Sequence, residues 1–379
     1  MIKFYFNKIT LFTLSILIFG CKQNEMAVIK KSDNKNTIQY AKGLEIFKHD
    51  GFTVVKIKNP WPKSKVEYTY ILQEKNGIVP DSLIKFNTIQ VPINTIVATS
   101  TTHIPSLEML GVENSLVGFP NLNYISSDKV RKRIEANKIK ELGNNQALNI
   151  EAVLDISPSV IMGYGIDNNN PGLDNLQKSG LKVILNGDWN EQTPLGKAEW
   201  IKLFGALYGK EKQAENIFAT IEKEYKATLL LAKKAKFKPT VIAGAMYENI
   251  WYMPQGDSWG SLFLKDAQAN YLYSNTKGSG SLALPFETVF EKGKEAQFWI
   301  QGQFSTLKEI EIANKHYTQF NAFKTKNVYS FGSKKGKTGG VLYYELAPNR
   351  PDLVLKDLVK ILHPELLPNY TLYFFEKIN

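Results

Sequence analysis

Four features of this chain carry residues able to do chemistry. Gly256-Asp257-Ser258-Trp259-Gly260 fits the G-x-S-x-G pattern of a nucleophile elbow, in which a serine held at a strand-to-helix turn attacks an acyl carbon. His316 and His363 follow it in the order an acyl-transfer triad requires, so an esterase using Ser258 is one alternative reading. Against it, Pro254 and Gln255 interrupt the strand that should run into the elbow, and no HGGG-like oxyanion segment is present. Gly332-Ser333-Lys334-Lys335-Gly336-Lys337-Thr338 approaches a phosphate-cradling loop, but it has three residues between its glycines instead of four, and Gly339-Gly340 stand where a helix should start. The histidines (His49, His103, His316 and His363) are too few and too dispersed for a site that binds bare zinc or manganese, so no metal bound directly by protein is expected.

The fourth feature is a repeat. NIEAVLDISPSVIMGY (149–164) and LPFETVFEKGKEAQFWIQG (284–302) each read as a short amphipathic helix opened by a glutamate, Glu151 or Glu287, then a turn and a buried apolar strand. A helix–turn–strand unit that occurs in both halves implies two similar α/β lobes, because each strand needs its own sheet.

At the N-terminus, Lys3 and Lys8 precede the apolar run ITLFTLSILIF (9–19), then Gly20 and Cys21. That run is shorter than the roughly 20 apolar residues of a membrane-spanning helix, so it reads as a secretory signal. Ile18-Phe19-Gly20-Cys21 resembles a bacterial lipobox, with Ile at the more usual Leu position. Cys21 is the sole cysteine. No intramolecular disulfide can form, and its thiol is available for acylation, which would hold the protein at a membrane. Removing residues 1–20 deletes two lysines and no acid, lowering the formal charge from +11 to +9. The lysines are scattered among acids along helices, which reads as a solvated surface and not as the clustered basic face of a nucleic-acid binder. Net charge favours anionic ligands and membrane surfaces alike.

Residues 22–39 are polar and poor in large apolar groups, the composition of a tether. The segments 43–59 and 65–73 alternate apolar and polar residues around Asp50-Gly51 and Pro60-Trp61-Pro62, predicting a hairpin or small meander. From Thr95 short apolar strands alternate with amphipathic helices, the pattern of a mostly parallel covered sheet. The longest helical stretch follows between Gly196 and Lys236, interrupted near Gly205 and Gly209. Its second part aligns Ala214, Ile217, Phe218, Ile221, Tyr225, Thr228, Leu229 and Ala232 on one face. PTVIAGAMY (239–247) opens a second αβ series.

This order, together with SLEMLGVENSLVGF (106–119), NIEAVLDISPSVIM (149–162), WIKLFGALYGKEKQAENIF (200–218) and ELAPNRPDLVLKDLVKILHPELLP (345–368), resembles the substrate-binding lipoproteins of ABC importers for iron complexes and vitamin B12. The resemblance covers most of residues 91–370. It implies an α/β class III periplasmic-binding fold: two Rossmann-like lobes with parallel-rich sheets joined by a long α-helix, the ligand lying between the lobes. The expected organisation is a signal peptide (1–20), a tether (21–39), an N-terminal β-hairpin extension (40–90), an N-terminal lobe (91–193), connecting helices (194–236) and a C-terminal lobe (237–379).

By segment matching, the resemblance places the family's permease-docking glutamates on Glu151 and Glu287. Ligands of open α/β sheets sit at the carboxyl ends of the strands. The residues expected there are His103, Tyr124, Tyr164 and Trp189 in the first lobe and Tyr247, Trp251, Tyr252, Trp259, Lys334 and Lys335 in the second. Aromatic walls with a few polar or cationic groups suit a large, flat, partly anionic chelate. An iron(III)–siderophore complex is the first expectation, haem or cobalamin the alternatives, with His103 or a tyrosine able to ligate haem iron. The expected protein is not an enzyme, needs no cofactor and is a monomer. It would be lipid-anchored outside the cytoplasm and partnered by an ABC permease with its cytoplasmic ATPase.

Overall fold

The computed structural model describes residues 35–379 except 146 and 168. The signal, Cys21 and most of the tether lie outside the described residues. The first described strands are β1 (Leu44–His49), β2 (Phe52–Lys58), β3 (Glu67–Glu74) and β4 (Asn87–Val91), forming one sheet in that order. β1, β2 and β3 are the antiparallel meander expected from the alternation, with Gly51 at the first turn in the left-handed region (φ 78°). β4 pairs parallel to β3, which the alternation did not predict. Leu44, Val55, Ile57, Tyr70, Leu72 and Ile89 are buried in one cluster with Ile96, Leu203 and Phe204, so the extension shares the core of the first lobe.

The first lobe is a five-stranded, wholly parallel sheet of β5 (Ile96–Ala98), β6 (Leu116–Phe119), β7 (Lys140–Glu141), β8 (Val160–Gly163) and β9 (Val183–Leu185) in the order β7-β6-β5-β8-β9. Successive residues of its central strands serve different cores. Ile96, Ala98, Val160 and Met162 pack on one face, while Val97 and Ile161 pack on the other with Val153 from the helix Ile150–Ile156. Burial on both faces accounts for the uninterrupted apolar sequences of these strands.

The second lobe follows with β10 (Thr240–Ala243), β11 (Ala245–Tyr247), β12 (Ile250–Pro254), β13 (Asn270–Tyr271), β14 (Ser281–Pro285), β15 (Phe298–Gln301), β16 (Val328–Ser330) and β17 (Glu376–Lys377). Its main sheet runs β13-β10-β15-β16-β17, parallel except for β17, and an antiparallel sheet β11-β12-β14 stands beside it.

Between the lobes lie the helices Pro194–Glu199, Ile201–Leu207 and Glu211–Ala232. Gly205 is inside the second of these, against Ala214, so the expected interruption there is absent; the breaks fall at Trp200 and at Gly209, whose φ of 62° ends the second helix. The long helix buries Ala214, Phe218, Ile221, Tyr225, Thr228 and Ala232, six of the eight residues read as one face, while Ile217 and Leu229 are half-buried. Ala214, Phe218 and Ile221 belong to the first lobe's core and Tyr225 and Ala232 to the second's, so one rod of about 33 Å is packed into both lobes. Where the chain enters, the buried Glu199 carboxylate accepts the amides of Gln39, Tyr40 and Ala41 at 2.9, 2.6 and 2.9 Å, and Glu191 accepts those of Lys42 and Gly43 at 3.1 and 2.8 Å.

The lobes are also pinned directly. Asn349 accepts from the Ser106 hydroxyl at 2.8 Å and donates to the Thr102 carbonyl at 2.9 Å, and Thr338 donates to the Asn123 carbonyl at 2.8 Å. The buried Glu345 carboxylate accepts the amides of Ser126 and Ser127 at 2.6 and 3.0 Å, at the start of the helix Asp128–Glu135. Lys337 pairs with Glu135.

Candidate functional site: an aromatic cleft between the lobes

The carboxyl ends of β10, β15 and β16 lead into Gly244, Gly302-Gln303 and Phe331, which line a pocket of about 630 Å³ with Tyr247, Tyr252, Trp259, Tyr343 and Tyr344. A second space of about 280 Å³ is shared by the lobes. Thr99, Ser100 and Thr101 beyond β5, Pro120 and Tyr124 beyond β6, and Tyr164 beyond β8 face Gly340, Val341 and Tyr344 across it. A third, of about 230 Å³, continues into the first lobe past Thr99, Asn145 and Tyr164. Tyr344 borders the first two spaces and Thr99, Asn145 and Tyr164 the last two, so the three form one string along the strand ends of both lobes.

The wall is braced ring against ring. Phe331 packs on Tyr343 with centroids 4.4 Å apart and planes tilted by 30°, it meets Tyr344 edge-on at 5.8 Å, and Trp259 lies 5.9 Å from Tyr343. A side chain on Gly302 would come within 2.2 Å of the Phe331 ring, which is why a residue without Cβ is required there. At the edge of that wall Tyr344 is 57% exposed, and Tyr247 and Tyr124 are 65% and 64% exposed, large apolar surfaces turned to open space. Burial raises the phenol pKa values of Tyr164 and Tyr343 above their ordinary value, so these rings are neutral hydrogen-bonding groups at physiological pH.

Of the residues predicted from sequence, the cleft brings together Tyr124, Tyr164, Tyr247, Tyr252 and Trp259. The other five lie elsewhere. Trp251 is wholly buried against Trp299, Tyr317 and Phe320, its indole N–H donating to the Ala243 carbonyl at 2.9 Å, because alternation along β12 turns Tyr252 outward and Trp251 into the core. His103 is fully buried beside Phe204, where loss of solvent lowers its pKa, so its imidazole is neutral and cannot reach a ligand metal in the cleft. Trp189 is half-buried, donating to the Gly165 carbonyl at 3.2 Å. The Lys334 ammonium is held by the carbonyls of Leu372 and Tyr373 at 2.9 and 2.6 Å, and Lys335 is exposed in a bridge to Val341. Residues that the motifs did not bring forward include Phe331, Tyr343 and Asn145. The signal available for Phe331 and Tyr343 was aromatic residues at a strand end and just after a glycine pair.

The G-x-S-x-G segment is not an elbow. Ser258 has ordinary extended backbone (φ −77°, ψ 156°), and its hydroxyl caps the helix Trp259–Asp266, accepting from the Ser261 amide and donating to the Gln255 carbonyl at 2.6 Å. His363 is buried with Nε2 at 3.1 Å from the Ala267 carbonyl, and His316 contacts Gln319. Neither imidazole is hydrogen-bonded to the serine. Among the described residues no cluster of His, Cys, Asp or Glu has a metal-binding arrangement.

Each repeat glutamate sits in a first helical turn. Glu151 is exposed in the helix Ile150–Ile156, capped by the Asn149 side chain, and Glu287 is exposed in the helix Phe286–Gly293. Val153 and Val289 anchor the two helices to their respective lobes.

Two αβ lobes, one connecting rod and a ligand-sized cleft at the strand ends define a bilobal solute-binding protein. The chain belongs to the periplasmic binding protein family, whose model matches residues 96–334. It is similar to an uncharacterized lipoprotein of Methanocaldococcus jannaschii, 26% identical and covering 93% of this chain and 88% of the relative. Among solved structures it is similar to a periplasmic heme binding protein of Pseudomonas aeruginosa (TM-score 0.55, 14% identity, 76% of this chain and 98% of that one). It is also similar to the periplasmic vitamin B12 binding protein of Vibrio cholerae (TM-score 0.51, 12% identity, 72% and 97%). These last two likenesses are of fold. Among the described residues no helix is long and apolar enough to cross a membrane.

Proposed function

We propose that this protein is the lipid-anchored substrate-binding component of an ABC importer. It captures a metal chelate outside the cytoplasm, an iron(III)–siderophore complex in the first instance and haem or a corrinoid as alternatives, and delivers it to the permease. The observation that supports this best is the continuous aromatic cleft, whose exposed tyrosines face one another across the strand ends of two lobes. Exposed aromatic surface of that size favours association with a large, flat, partly apolar solute. Cys21 is the proposed acylation site. Glu151 and Glu287, exposed and one per lobe, are the proposed docking points, where carboxylates would meet guanidinium groups of the two permease subunits in directional, charge-assisted pairs. Tryptophan-fluorescence titration of the purified protein with ferric siderophores, haemin and cyanocobalamin tests the cargo assignment. Saturable quenching by one of these is expected, and no response to any of them would refute it.

A further inference from the structure

Among the described residues, the side chains lining the three connected spaces include no aspartate, glutamate, lysine, arginine or histidine. The polar groups offered to a ligand are neutral: tyrosine, serine and threonine hydroxyls and the amides of Gln303, Asn145, Asn169 and Asn170. This is unexpected in a chain carrying 47 basic residues; Lys335, bridged to Val341 at the second space, is exposed and outside the lining, and the structure shows where three other nearby cations have gone. Lys334 is capped by two carbonyls near the C-terminus and Lys337 is paired with Glu135. Lys197 lies behind the wall, its ammonium 5.2 Å from the Trp259 ring centre, donating to the carbonyls of Asp188 and Trp189 at 3.1 and 2.7 Å. Burial pulls that ammonium down to about 8, against the opposing pull of Asp188 and Glu191, so it is still mostly charged at neutral pH, but its charge is already engaged by the two carbonyls and it does not line the cleft. On the first-lobe side Asp188 is likewise turned away, accepting the Thr102 hydroxyl at 3.0 Å.

We propose that the cleft selects an electroneutral metal chelate: a complex whose ligand oxygens or nitrogens cancel the charge of the metal, with an apolar or amide-bearing periphery. This deepens the function proposed above and rests on it. An anionic chelate moved into this pocket would lose its hydration with no cation to replace it, a penalty that lowers affinity by roughly a hundredfold or more for each charge left uncompensated. A neutral complex avoids that penalty and retains the aromatic contacts and the neutral hydrogen bonds. Aromatic faces also attract cations, so a positively charged complex is the competing case.

The test uses three ferric complexes of similar size and different charge, titrated against the full-length protein by fluorescence quenching: ferrichrome, a neutral tris-hydroxamate; ferrioxamine B, which carries a pendant ammonium; and ferric enterobactin, a trianionic tris-catecholate. Cyanocobalamin and haemin, the latter with two propionates, extend the comparison to flat ligands. The neutral member of each set should bind more tightly than the anionic one by roughly a hundredfold or more, and its affinity should be nearly unchanged between low and high salt. Equal or tighter binding of ferric enterobactin or haemin, tighter binding of ferrioxamine B than of ferrichrome by about tenfold, or a neutral-chelate affinity that collapses with added salt would overturn electroneutral selection while leaving the chelate-binding function standing. Failure of all five to bind would remove the function reading itself, and this inference with it.

Discussion

Replacing Glu345 with glutamine should remove a component of the protein's stability that declines as pH rises. The carboxyl is buried in the seam between the lobes, and loss of solvent pushes it up to about 7 from the ordinary 4.5, with the nearby Glu108 carboxylate adding to the rise and the Ser126 and Ser127 amides opposing it. Between those two values the folded chain holds a proton that the unfolded chain releases. The contribution is therefore fully present below the unfolded value and is lost as pH climbs through the folded one. At about 1.4 kcal/mol for each pKa unit, the difference amounts to ~3 kcal/mol. Glutamine cannot ionise. It also forfeits one of the two amide contacts, at a pH-independent cost of about 1 kcal/mol that moves its whole profile without tilting it. Urea unfolding followed by tryptophan fluorescence at about pH 5 and about pH 8 measures the difference, which should shift by ~2–3 kcal/mol in favour of the variant at the higher pH. Parallel profiles for the two proteins, or a wild type that gains on the variant as pH rises, would refute the assignment of a raised carboxyl to this seam.

The double variant Glu151→Arg, Glu287→Arg should bind its cargo with unchanged affinity and fail to stimulate permease ATPase activity in reconstituted membranes, since like charges at a docking surface cost several kcal/mol; normal stimulation would dismiss these residues as docking points. Solution scattering with and without cargo should show little change in radius of gyration, because closure must bend a helix packed into both cores and break the contacts of Asn349, Thr338 and Glu345; a large contraction would contradict this. Trp251→Ala should lower unfolding free energy by about 3–5 kcal/mol, as expected for a large ring removed from a tight core, and a loss below about 0.5 kcal/mol, typical of a surface site, would show that the ring is not core.

Features governed by near neighbours in the sequence were the legible ones. The long helix could be read because its buried face recurs every turn, and the two glutamate-led helices because each is followed closely by its own strand. The cleft was legible in outline, since strand ends are marked by where apolar runs stop, and five of the ten residues chosen that way do line it. The others failed for reasons that depend on distant parts of the chain. In β12, alternation says that Trp251 and Tyr252 face opposite ways, but only the packing of Trp299 and Phe320 decides which way is inward. The 3-10 turn Thr101–His103 carries the imidazole beneath the wall. Lys334 reaches carbonyls at 372 and 373 that no local pattern connects with it. The parallel pairing of β4 with β3 is likewise a contact across a loop, carrying no periodic signature of its own.

The seating of the entering chain has a mechanical consequence. A pull from the N-terminal side arrives at five consecutive amides, Gln39 to Gly43, held on the carboxylates of Glu191 and Glu199. The load is shared among these bonds before it reaches β1, and it passes into the segment that leads to the connecting helices. A tug there displaces the spine common to both halves instead of prying one half from the other. Neither carboxylate is among the residues lining the cleft, so force delivered to these amides is not applied to its walls.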